Sequence, residues 1–224
     1  MWVLARPRDA PFAPQTVIPA SFLFQTTDPS TNALTGTANT PVEIAEGASQ
    51  SFVIALTPTA AFPPNDIDFS FACANGGPVV VLAGVNTHNL SASTTPVPDI
   101  VALATSNDPG YVDIPAATGT GVFAVAAMNL GIAAPITASA NTGAANLPVT
   151  VSLCQTDPET GTCLVTPAST VTTPIATNAT PTFGIFVSAG GSVPDSPGAN
   201  RVFVQFTDAS GILRGETSVA VRTQ

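Results

Sequence analysis

Apolar and polar residues alternate along this chain in short runs, each broken by proline or glycine, and that pattern predicts strands. Ile67-Asp68-Phe69-Ser70-Phe71 has a period of two, which puts Ile67, Phe69 and Phe71 on one buried face. Ser51 to Thr57 is an apolar run ended by Pro58. Further strands are expected at 16–26, 41–44, 79–85, 99–105, 120–129, 136–140, 147–154, 169–173, 182–188, 201–207 and 216–222. Turns are expected at Gly76-Gly77 and Gly131. No window free of Pro and Gly sustains the 3.6-residue period of a long helix. Many short strands with turn signals between them predict an all-β sandwich in preference to a barrel.

One stretch organises the rest. Leu153-Cys154-Gln155-Thr156-Asp157-Pro158-Glu159-Thr160-Gly161-Thr162-Cys163-Leu164 reads as a hairpin corner. Leu23-Phe24-Gln25-Thr26-Thr27-Asp28-Pro29-Ser30-Thr31-Asn32-Ala33-Leu34 echoes it, which points to an internal repeat. Phe52-Val53-Ile54-Ala55-Leu56 then matches Phe183-Gly184-Ile185-Phe186-Val187, and each is followed by a Pro-containing loop. The strand ending at Phe71 matches the one ending at Phe206, and Gly84 to Thr87 is aligned with Ala220 to Thr223. The expected layout is a Pro-rich arm (1–15), a first module (16–87), a linker (88–98) and a second module (99–224).

The repeat is lopsided. More than fifty residues, Asp99 to Ser152, precede the corner in the second module, against about twenty in the first. The first module is therefore expected to lack its opening strands, leaving an open edge and an uncovered core. Three explanations stand: a piece of a longer repeat protein, a short sandwich closed by its own arm, or completion by a strand of another chain.

Composition narrows the function. Of 224 residues, 45% are hydrophobic, enough for a sizeable core, but only 8% are charged, against about 25% in an ordinary soluble domain. There is no Lys; the cations are Arg6, Arg8, Arg201, Arg214 and Arg222, and the net charge is −9. Phosphate binding needs clustered Lys and Arg, so nucleic acid is not an expected partner. No apolar run reaches the roughly 18 residues needed to span a bilayer. The start, Met1 to Arg8, lacks the apolar core of a secretory signal, so export would depend on a signal outside this sequence or on another route.

Candidate chemistry is sparse. Cys154 and Cys163 flank the corner, where facing hairpin positions come within the ~7 Å a disulfide needs. A bridge is expected, on the outer side because Cys154 points away from the Leu153 face; the alternative is two free thiols. Cys73 has no evident partner and reads as a small buried residue. No C-x-x-C pair is present, so zinc and haem motifs are absent. His88 is the sole histidine, and no nucleophile-elbow pattern surrounds Ser91 or Ser93, so it reads as a solvated linker residue. Asn65, Asp66 and Asp68, with Asn107, Asp108 and Asp113, carry oxygens that suit calcium, but turns favour Asp and Asn in any case. Asp157 and Glu159 read as decoration of the hairpin tip. Asn89-Leu90-Ser91 and Asn178-Ala179-Thr180 are glycosylation sequons. Trp2 and Tyr111 are the only aromatics besides Phe, which weakens a sugar-binding platform. No catalytic residue, cofactor or metal is expected.

Leu147 to Thr156 with Cys163, then Asn200 to Val204, Arg214-Gly215 and Ser218 to Thr223, resemble bacterial immunoglobulin-like repeat modules of exported and cell-surface proteins. The resemblance covers 99–224, and 16–87 more loosely. It implies a β-sandwich that acts as spacer, adhesion or assembly unit, with no catalytic residues to carry over. The expected function is thus a non-enzymatic extracellular or surface structural protein that self-associates through the open edge of its first module. Alternatives are a carbohydrate- or other ligand-binding module, or a viral coat or decoration subunit.

Overall fold

The computed structural model describes residues 12–71, 79–82, 84, 86–108 and 110–224, which form fourteen strands and no helix. The protein is all-β. Its chain divides into two compact units, Met1–Thr94 and Thr95–Gln224.

The first unit holds β1 (Phe12–Pro14), β2 (Ala20–Thr27), β3 (Ser51–Pro58), β4 (Phe62–Phe71) and β5 (Thr87–Ala92). They form a β2-β3 pair and a β1-β4-β5 sheet. Its core is aromatic. Phe12 is only 7% exposed, with its ring centroid 4.3 Å from Phe71, 5.3 Å from Phe69, 5.4 Å from Phe22, 5.7 Å from Phe24 and 6.0 Å from Phe52. Edge-to-face and offset stacking of this kind adds to simple area burial. Ile67 completes the cluster at 0% exposure, as the period-two reading of β4 requires.

The second unit holds β6 (Ile100–Thr105), β7 (Tyr111–Ile114), β8 (Thr120–Asn129), β9 (Ala134–Asn141), β10 (Val149–Thr156), β11 (Thr170–Ile175), β12 (Thr182–Ala189), β13 (Arg201–Asp208) and β14 (Leu213–Thr223). One sheet runs β10-β12-β8-β6 and the other β11-β9-β13-β14-β7. Inward residues of both sheets meet in one core: Phe123, Val125, Leu153, Phe183, Ile185 and Val187 from the first, Ile136, Val202, Val204, Phe206 and Val221 from the second. This is a sandwich. Every pairing is antiparallel except β14 with β7, which is parallel.

The strands expected at 51–57, 120–129 and 182–188 are present almost residue for residue. Four expectations change. Residues 88–92 of the expected linker run in β5, where they pair with β4. The amide groups of that polar stretch find partners across the sheet, which alternation in the stretch itself does not reveal. The end of the expected arm forms β1, because Phe12 reaches the core of the first unit. Residues 41–44 form no strand, and none passes through the described part of 79–85. Asn65, Asp66 and Asp68 lie within β4 and not in a turn. The Gly76-Gly77 turn, Cys73 and Trp2 lie outside the described residues.

Candidate functional site

The two corners have the same backbone chemistry. In the second unit, Asp157 Oδ1 accepts the N–H groups of Glu159 and Thr160, both at 2.9 Å. The Gly161 N–H donates to the Asp157 carbonyl at 2.8 Å, and the Asp157 N–H to Thr162 at 2.9 Å. In the first, Asp28 Oδ1 accepts from Ser30 and Thr31, both at 2.9 Å, the Asn32 N–H donates to Asp28 at 2.8 Å, and the Asp28 N–H to Ala33 at 2.9 Å. Asn32 (φ 58°) and Gly161 (φ 70°) fill the same left-handed position, which Gly and Asn tolerate best. Proline follows each aspartate and presets φ for the turn. Hydrogen bonds to the ionised carboxylate favour its charged form: the Ser30 hydroxyl, with the Ser30 and Thr31 amides, lowers Asp28 from 3.8 to about 2. The Thr160 and Glu159 amides lower Asp157 in the same way.

The correspondence extends into the sheets. Thr26 pairs with Phe52 and Thr27 with Ser51; Gln155 pairs with Phe183 and Thr156 with Thr182. Thr27 Oγ1 donates to Ser51 Oγ at 2.8 Å, and the Thr156 and Thr182 hydroxyls share a bond of 2.7 Å. Across the β4–β5 pair, Ile67 faces His88; across β13–β14, Val202 faces Val219. With Ile67 set against Val202, Thr87–Ala92 matches Ser218–Thr223. This replaces the alignment of Gly84 to Thr87 with Ala220 to Thr223.

The corners differ in their staple. Cys154 and Cys163 are disulfide-bonded, with Cα atoms 5.6 Å apart. They do not face one another: Cys163 opposes Thr156, so the bridge runs diagonally. Nor is it wholly superficial, since Cys154 is 0% exposed. The returning segment bonds back to β10 through Leu164 N–H to Gln155 (2.8 Å) and Ala168 N–H to Leu153 (3.0 Å), and so covers it. In the first unit the corner geometry puts Gln25 and Leu34 at the cysteine positions. Gln25 Nε2 donates to the carbonyls of Thr35 (3.2 Å) and Gly36 (3.1 Å), a polar tie where the second unit has a covalent one.

The larger difference lies beside β3. In the second unit β12 has β10 on one edge and β8 on the other; among the described residues β3 has β2 alone. Phe183, Ile185 and Val187 of β12 are 1%, 0% and 0% exposed, whereas Phe52, Ile54 and Leu56 of β3 are half-buried.

The remaining candidates have structural partners. Arg222 donates to Asp113 (2.6 Å), Asp108 (3.1 Å) and Asp195 (3.2 Å), and its guanidinium lies 4.2 Å from the centre of the Tyr111 ring. Its hydrogen bond holds the Asp113 carboxyl below the usual range, and the same contact raises Arg222. Asn107, Asp108 and Asp113 border a cavity of about 360 Å³, and the two aspartates are already paired with Arg222. Among the described residues no group of three or more His, Cys, Asp or Glu is placed to hold a metal. Asp66 accepts from Asn89 Nδ2 at 3.1 Å, and His88 is exposed on β5.

Sequence reading missed Arg222 and the fully buried Asn129. Asn129 Oδ1 accepts from the Asp99 and Gly131 amides (3.1 and 3.0 Å), and its Nδ2 donates to Ile132 (2.9 Å) and Ile175 (3.1 Å). An Arg closing the Val219-Ala220-Val221 run of β14, and an Asn ending β8, were the available signals.

No protein-family model and no curated protein matches this chain. Among solved structures it is similar to BcpA, the major pilin subunit of Bacillus cereus, at 10% identity and a TM-score of 0.31, covering 92% of this chain and 65% of that one. A variant of BcpA gives 9% and 0.33 with the same coverage. The CupB6 tip adhesin of Pseudomonas aeruginosa gives 8% and 0.28, covering 99% of this chain and 81% of that one. These likenesses are too distant to carry an argument, and the all-β assignment stands on the strands themselves.

Proposed function

We propose that this chain is a non-enzymatic structural protein of the extracellular space or cell surface, built from two tandem immunoglobulin-like β-sandwich modules. In this reading β1 is the counterpart of β9, and among the described residues the first module has no strands equivalent to β6, β7, β8 and β11. The observation that supports it best is the shared corner: two turns with the same carboxylate caps, the same left-handed position and the same hydroxyl pair to the neighbouring strand. The Cys154–Cys163 bridge supports an oxidising compartment, since cytosolic thiols are kept reduced. The role is spacing, adhesion or subunit assembly. Tyr111, one of the two aromatics a sugar platform could use, is covered by Arg222 and does not favour the carbohydrate reading.

The test is protease shaving of intact source cells, with intact mass of the recovered protein before and after alkylation. A shaved chain with Cys154 and Cys163 protected is expected. A chain retained inside the cell with both thiols free overturns the reading.

A further inference from the structure

Resting on that assembly reading, we propose that β3 and β6 are the two halves of a head-to-tail junction: β3 of one copy pairs edge to edge with β6 of the next. The second unit shows what an edge such as that of β3 accepts. There the matching edge of β12 carries β8 in register from Thr182–Ala126 to Ser188–Thr120, and the inward side chains of β12 are closed off. β3 keeps the same inward series, Phe52, Ile54 and Leu56, packed against the core but only partly buried. Burying such side chains stabilises by about 25 cal/mol for each Å² of apolar surface removed from water.

The second copy is favoured as occupant because β6 is the outermost strand of the sheet that fills the equivalent place beside β12. Among the described residues no strand is hydrogen-bonded to its outer edge, although β14 approaches it, with Gly215 packed against the Ile100 carbonyl. Neither strand carries a guarding side chain. Natural edge strands carry Lys, inward charges, Pro or bulges that block pairing. Ser-Phe-Val-Ile-Ala-Leu-Thr and Ile-Val-Ala-Leu-Ala-Thr contain no charge, no Pro and no Gly; Pro58 only ends β3. The outer faces match as well. Leu23 and Val53 are 37% and 40% exposed on β2 and β3, and Val101, Leu103, Val122 and Met128 are 45%, 69%, 49% and 37% exposed on β6 and β8. Pairing β3 with β6 makes one six-stranded sheet, β2-β3 continuing into β6-β8-β12-β10 of the next copy, with one continuous uncharged apolar stripe. The two surfaces differ, so the contact is heterologous and builds an open chain of subunits rather than a closed dimer.

The experiment is sedimentation of the full chain with two substitutions at already exposed positions, Val53→Lys and Leu103→Glu. Retention of the Cys154–Cys163 bridge and of β-sheet circular dichroism checks the fold. Wild type is expected to give a concentration-dependent series of multimers, and either variant alone to associate about tenfold more weakly or worse. An equimolar mixture is expected to regain association, because one variant keeps an intact β6 and the other an intact β3, and the opposite charges introduced at positions 53 and 103 attract across the remaining contact. A wild type that stays a single chain at all concentrations, or a mixture that stays monomeric, overturns the junction. Loss of association with Val53→Lys but not with Leu103→Glu overturns it in favour of a two-fold β3 contact. If the chain assembles yet is not shaved from cells, the junction stands and the surface reading fails; the converse result removes the junction alone.

Discussion

The two corners share every backbone hydrogen bond that makes the turn and differ in what ties the returning segment down: a disulfide at Cys154–Cys163, a glutamine amide at Gln25. The two units around them differ in the same sense. The second closes its core with nine strands; the first has five among the described residues, and packs six phenylalanines into the space, Phe12 among them. The lesson is that a turn is a local invention and can be reused unchanged, whereas a core must be solved afresh for each set of neighbours. Ala138 holds the place on β9 that Phe12 holds on β1, each opposite the final phenylalanine of its partner strand, Phe206 and Phe71.

The sharpest way to break that comparison is Phe12→Ala. Removing a ring that touches five others is expected to cost about 3–5 kcal/mol and to abolish the unfolding transition of the first unit, leaving that of the second in place. Denaturant unfolding followed by hydrogen exchange separates the two. Next come matched truncations in β12 and β3. Ile185→Ala, at 0% exposure, is expected to cost about 2–5 kcal/mol, and Ile54→Ala, only partly buried, less. Equal losses would mean that β3 is as well covered as β12.

The staples come third. Cys163→Ser is expected to cost the second unit about 2–3 kcal/mol, from the entropy of a short closed loop, and reductant to have the same effect on that unit alone. Conversely, Gln25→Cys with Leu34→Cys should form a bridge spontaneously on oxidation; failure to cross-link would mean that the corners match in the turn but not beyond it. The smallest effect is electrostatic. Asp28 titrates below its unfolded value of 3.8, so its contribution is complete above that pH and is lost as pH falls towards about 2. Asp157 moves in the same direction. Carbon-detected NMR titration should show both carboxyls losing their charge at lower pH than an unrestrained aspartate, and Asp28→Asn should remove the acid sensitivity of the first corner only.

Much of this was legible beforehand. The period of β4, the limits of β8 and β12 and the two corners all follow from residues close together in the chain. The cysteine pair was readable from spacing, although its diagonal geometry was not, because that depends on how the segment after Gly161 returns to β10. β5 was invisible: Thr87 to Ala92 is polar, and its strand character comes from β4 across the sheet. β7 is four residues long and too short for periodicity to declare.

By itself the sequence determined the all-β class, the strand periods and the chemistry of the turns, because backbone preference, alternation and carboxylate capping act over a few residues. Only the tertiary structure decided that Arg222 neutralises Asp108 and Asp113 across more than a hundred residues of chain, that Phe12 is the centre of a core, and that β3 has one neighbour among the described strands where β12 has two. Burial, charge pairing and edge occupancy belong to groups brought together by the fold, and no local pattern records who those neighbours will be.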